Sequence, residues 1–164
     1  MDIQEFHESV VSPFVRDFEA NRGSVRYAYG AVWALDSFAS HIFYRCRDRF
    51  PDSFKSDSSF KRYFLSPRSS DFRLICDVSA VVKHAKSHKP PHETLVLCST
   101  HVFRMHLDGA AAYFAGPDGD DWGDQVIVHN DRNLFSPLLP KALRAEQFLL
   151  QAIADPLGLP LASD

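Results

Sequence analysis

The chain has little cysteine and no recognisable nucleotide or nucleophile signature. Its three cysteines, Cys46, Cys76 and Cys98, form no CxxC pair. An odd, scattered set argues against a disulfide framework and fits a reducing compartment. Cys46 and Cys76 stand in apolar helical context, where a buried, inert thiol is the expectation. No GxGxxG, Walker A, GxSxG or Cys–His pattern occurs, which leaves dehydrogenase, NTPase and hydrolase readings without support. No apolar run approaches the roughly 18 residues of a membrane span. The opening MDIQEFHESV has neither a basic n-region nor an apolar h-region, so no signal peptide is expected and the expected compartment is the cytoplasm. Internal repeats and low-complexity segments are also missing.

What is there suits a folded chain. The 164 residues are 45% hydrophobic, with 14 phenylalanines and a net charge of −3. That length supports a single domain with a real core, rich in aromatic packing. The net charge argues against a surface that binds nucleic acid all over. Charge is nevertheless uneven. Residues 45–68 hold seven Lys/Arg against three Asp, whereas residues 108–131 hold six Asp and no Lys or Arg. Solvated loops explain both. A phosphate-tracking strip through Arg45, Arg47, Arg49, Lys61 and Arg62 is the functional alternative for the first, although its phenylalanines suit an inward face.

Periodicity sets the expected layout. Phe6, Val10, Phe14 and Phe18 recur at four-residue spacing in a first helix, with a kink or a fresh start capped by Ser12 at Pro13. A long second helix covers about 24–48, with Ala28, Val32, Leu35, Ala39, Ile42 and Cys46 on a broad apolar face, and it is expected at the centre of a bundle. A short helix SFKRYFL stops at Pro67. A fourth, capped by Ser69 or Ser70, turns Leu74, Ile75, Val78, Val81, Val82 and Ala85 inward and ends at KPP. The segments TLVLCSTHVFRMHLDG, AAYFAG and DQVIVHN then read as two to four strands. A last helix over 134–154 carries Leu139, Leu143, Phe148, Leu149 and Ile153 inward. The expected fold is therefore mainly α. It is a bundle of four to five helices (1–90 and 134–154) with a small antiparallel β-sheet or hairpin at 93–130, before the C-terminal helix.

The fourth helix holds the constellation of interest. At 100° per residue, Arg73, Asp77, His84 and His88 fall within about 60° on the shoulder of the apolar face, with Lys83 further round toward solvent. On the second helix, Asp36 occupies a similar shoulder. Were the two helices neighbours, Asp36 would pair with His84, Lys83 or Arg73. Two roles fit. In the chemical one, His84 is a general acid or base, a carboxylate orients it, and Arg73 or Lys83 holds a phosphate. In the structural one, the set is a polar network that fixes helix register.

DVSAVVKH (77–84) is similar to the D-x-x-N-x-x-K-H helix signature of small bacterial helical proteins that look like relatives of the HEPN superfamily. The preceding ALDSFASH, with its internal acid, fits the same pattern, and the resemblance covers about residues 24–88. It implies a HEPN-like bundle and marks Asp77, Lys83, His84 and Asp36. Ala80 stands where the signature has Asn, and the R-x4-6-H motif of catalytic members is absent. The resemblance thus implies the fold, and binding of a partner or RNA, more than cleavage.

Two other patterns have plainer readings. His84, His88 and His92 recur at four-residue intervals, as zinc ligands can, but Pro90 and Pro91 break the repeat, and a solvated helix end suits them. DGDDWGDQVIVH resembles a calcium loop yet has Trp122 and His129 at ligand positions. No metal or cofactor is expected. The leading expectation is a non-catalytic interaction protein, a homodimer or a component of a complex; the alternative is a metal-independent ribonuclease or toxin.

Overall fold

The computed structural model describes residues 1–50, 54–84, 96–99, 125–129 and 135–155. The chain opens with α1 (Ile3–Phe6), capped by Asp2, whose carboxylate accepts from the Glu5 amide while Glu5 accepts from the Asp2 amide. A π-helical turn (His7–Val11) leads into α2 (Ser12–Ala20). That turn corrects the expected face. One extra residue shifts the inward stripe to Phe6, Val11, Val15 and Phe18, all buried, and leaves Val10 and Phe14 half-buried. The wider turn also relieves Pro13, which lacks an N–H and would crowd the preceding turn of a regular helix. Ser12 has helical backbone angles and caps nothing with its side chain.

α3 (Val25–Arg45) is the central helix and packs against α2, α5 and α6, the last two given below. Ten of its side chains are buried, among them Leu35, Phe38, Ile42 and Phe43. It ends three residues earlier than its pattern suggests, and Arg47–Arg49 form a 3-10 turn. At Gly30 the Phe14 ring lies directly on the helix: a Cβ there would stand 2.6 Å from Phe14 Cδ1.

After Phe54 comes α4 (Asp57–Phe60), begun by a capping box between Ser56 and Ser59, and then a second π-helical turn (Lys61–Leu65). The phenylalanines of this stretch turn inward. Phe50, Phe60 and Phe64 are buried, with ring centroids 4.6 Å (Phe50–Phe60) and 5.3 Å (Phe60–Phe64) apart. This aromatic knot pins the segment against the end of α3.

α5 (Ser70–His84) starts with the Ser69 hydroxyl accepting from the Phe72 amide. It buries Phe72, Ile75, Val78 and Ser79, while Leu74 and Val81 are half-buried. Strands β1 (Val96–Ser99), β2 (Val126–His129) and β3 (Phe135–Pro137) form an antiparallel sheet in that order, with Val128 opposite Leu97 and Ser136. β3 replaces the start expected for the last helix. Pro137 biases Ser136 toward extended backbone, so the helix, α6 (Leu138–Ala154), begins just after it. AAYFAG, residues 118–124 of the calcium-like pattern with Trp122, and His88 and His92 lie outside the described residues; the end of that pattern, Val126–His129, is β2.

The fold is thus mainly α, a helical bundle with a small antiparallel sheet before the C-terminal helix. One hydrophobic cluster runs from Phe6 to Ala152 and includes Val126 and Val128 of β2. The β2 amide of Val126 also donates to the Arg22 carbonyl at the α2–α3 turn (2.7 Å), which ties sheet to bundle. Among the described residues, no helix is long and apolar enough to cross a membrane.

Candidate functional site

Asp36 is 6% exposed in the middle of α3, among side chains that are otherwise apolar. A carboxylate taken out of water must be paired and hydrogen-bonded or it loses its charge. Four groups converge on it. Lys61 Nζ donates to Oδ1 at 2.7 Å and to the Asp36 carbonyl at 3.2 Å. Lys83 Nζ donates to Oδ2, as does the buried Ser79 hydroxyl at 3.0 Å. The Cys76 thiol lies 4.0 Å from Oδ1. Burial pushes the Asp36 pKa up, but the two ammonium groups outweigh it and hold the carboxyl below its ordinary 3.8. Burial and the adjacent carboxylate push the Cys76 thiol up to about 12, so it is an inert thiol.

Local structure explains each position. Phe60 and Phe64 bury the sides of the π-helical turn that begins at Lys61, and the Ser66 amide closes that turn on the Lys61 carbonyl at 2.8 Å. The lysine is thereby carried to α3. Asp57, held by the Ser40 hydroxyl at 2.7 Å, lies 3.8 Å from the same ammonium. Ser79 and Lys83 are four residues apart on α5 and reach Asp36 together. Lys83 is one of the expected partners of Asp36: its side chain is 44% exposed, as its position round the helix implies, and its ammonium reaches Asp36. The first π-helical turn behaves similarly, because its first residue, His7, meets Glu146 of α6 at 2.8 Å.

The sequence-marked residues divide as follows. Asp36, Arg73, Asp77 and Lys83 line one cleft of about 580 Å³, with Lys61 and Arg62 from the α4 segment. Asp77 is half-buried and Arg73 exposed. Among the described residues, Arg73 and Arg62 have no carboxylate within ion-pairing distance, and Arg62 lies over the Tyr63 ring. The His84 side chain lies outside the described residues. The cations of the basic strip each make a contact within the chain. Lys61 is 14% exposed and committed to Asp36, Arg45 donates to the Met1 carbonyl, Arg49 to the Ile153 carbonyl, and Arg47 covers Phe43.

Lys61 was expected only in the basic strip and not as a partner of Asp36, and Ser79 was not expected at the site. A signal existed for both. Lys61 is four residues after Asp57 and four before Leu65, on the inner side of its helix, and Ser79 interrupts the apolar face of α5 four residues after Ile75. Among the described residues, no group of three or more His, Cys, Asp or Glu side chains converges as a metal site would. No protein-family model matches the sequence, and no curated protein and no solved structure is significantly similar to it.

Proposed function

We infer that this chain is a non-catalytic interaction protein with a HEPN-like bundle, acting as a homodimer or as a component of a bacterial complex. One observation carries the reading. Both oxygens of Asp36 are taken, by Lys61 on one side and by Lys83 and Ser79 on the other. A carboxylate held ionised and fully bonded is a clasp between α3, the π-helical turn after α4, and α5; it is a poor base and a poor orienter of one. Its pairing with Lys83 also removes the ammonium that a cleavage mechanism would turn toward a phosphate.

A second reading, a metal-independent ribonuclease or toxin, draws on Arg73, Asp77 and Lys83 sharing one cleft. Its reacting group would be His84, next to Lys83 at the end of α5. The test is RNA cleavage by the wild type and by His84→Ala, both in EDTA. Equal background in the two supports the interaction protein. Cleavage that disappears in a folded His84→Ala variant refutes it in favour of the nuclease. Sedimentation of the pure protein checks the homodimer.

A further inference from the structure

The cleft over the Asp36 clasp has an unusual lining. Ligand sites of this size, about 580 Å³, fall in the range of small-molecule pockets but are ordinarily walled by apolar and aromatic groups. Here the described lining has no aromatic and no large aliphatic side chain; Cys76 and Ala80 are its only small apolar groups. Four cations (Lys61, Arg62, Arg73 and Lys83) and two carboxylates (Asp36 and Asp77) line it, with Asp57 3.8 Å from the Lys61 ammonium, which leaves one net positive charge. Serine hydroxyls from two elements, Ser58 and Ser66 on the α4 side and Ser79 on α5, complete the wall.

Each feature narrows the ligand. The two guanidinium charges of Arg62 and Arg73 match a phosphomonoester, which carries about −1.5 to −2 near neutral pH. The guanidinium groups of Arg62 and Arg73, which carry no ion pair among the described residues, are the groups suited to grip phosphate oxygens in pairs. Among the described lining residues no ring offers a stack, which disfavours a nucleobase, since single-stranded bases and nucleotides are held mainly by such stacking. Hydroxyl-lined walls suit a ligand that is itself rich in hydroxyls. We propose that this cleft binds a small phosphorylated polyol of the sugar-phosphate class, with the phosphate on Arg62 and Arg73 and the hydroxyls toward Ser58 and Ser66. The inference rests on the non-catalytic reading only in that the site binds this ligand without changing it.

Isothermal titration of the full chain with glucose 6-phosphate, ribose 5-phosphate and glycerol 3-phosphate tests the inference, with inorganic phosphate, free glucose, AMP and a short oligouridylate as comparisons. At least one polyol phosphate binds about tenfold or more tightly than inorganic phosphate and than AMP, and free glucose does not bind. Arg73→Ala, at an exposed position, leaves the fold intact by circular dichroism and weakens binding about tenfold or more, the loss expected for a charge-assisted contact. The proposal is overturned if no polyol phosphate binds in the millimolar range. It is equally overturned if inorganic phosphate binds as well as they do, if AMP or oligouridylate binds more tightly, or if Arg73→Ala changes nothing. Release of phosphate from a bound polyol phosphate refutes the non-catalytic reading instead and leaves the ligand class standing, so the two failures are told apart.

Discussion

The Asp36 clasp predicts an ordered set of stability losses. Asp36→Ala leaves the Lys61 ammonium, whose side chain is 14% exposed, with the more distant Asp57 at 3.8 Å, and strands the Ser79 hydroxyl, which is buried. Removing one partner of a buried ion pair costs about 3–5 kcal/mol. The lower end applies, because Lys83 is 44% exposed and turns to water when its partner goes. Lys61→Ala leaves Asp36 with Lys83 and Ser79, and the expected loss is about 2 kcal/mol. Lys83→Ala leaves the most buried pair intact, and its own exposure limits the loss to at most ~1 kcal/mol. Urea unfolding followed by circular dichroism gives all three values. A pH series adds a second constraint. The folded pKa of Asp36 lies below the ordinary 3.8, so its contribution is fully present above that value and is lost as pH falls through the folded pKa. The gap in stability between the wild type and Asp36→Asn is therefore constant at neutral pH and shrinks below about pH 4. A loss for Lys83→Ala equal to that for Lys61→Ala would refute the reasoning, as would a gap that widens on acidification.

Other features have their own outcomes. Cys76 alkylates much more slowly in the folded than in the unfolded protein at pH 8, because its thiol is pushed up to about 12; peptide mass spectrometry after timed iodoacetamide labelling reads this. His41 stacks on Phe6 with centroids 3.8 Å apart, and burial, Arg45 and the N-terminal ammonium lower its pKa below 6.5. The neutral ring is the one the fold prefers, so this contribution is complete above pH 6.5 and declines as pH falls toward the folded pKa; His41→Phe flattens that part of the stability profile. Gly30→Val drives a side chain into the Phe14 ring and destabilises by about 1–3 kcal/mol in the same urea assay, whereas a neutral result would mean that the ring swings away freely.

How much of this was legible in the chain differs from element to element. The existence and order of the helices followed from apolar spacing, because a helix face must repeat every three to four residues to be buried. α3 was recognisable as central from the breadth of its apolar face, and Asp36 stood out as an acid on its shoulder. The shift from Val10 and Phe14 to Val11 and Val15 was not legible, because a π-helical turn changes the period by one residue without any composition of its own. β3 lies in a stretch whose pattern suits the start of the last helix, since three residues are too few to show an alternation.

The sequence by itself determined the mainly helical class, the late turn to strands, and the candidates Asp36, Asp77 and Lys83, all through residue type and spacing along single elements. Only the tertiary structure decided which of them meet. Lys61 is 25 residues from Asp36 and Lys83 is 47, and no periodicity links such positions. Their pairing depends on how α3, α4 and α5 pack, which is set by the phenylalanine knot and the buried face of α5 acting together. A lysine that reads as solvent-facing on its own helix becomes a clasp once the only buried carboxylate among the described residues lies within its reach.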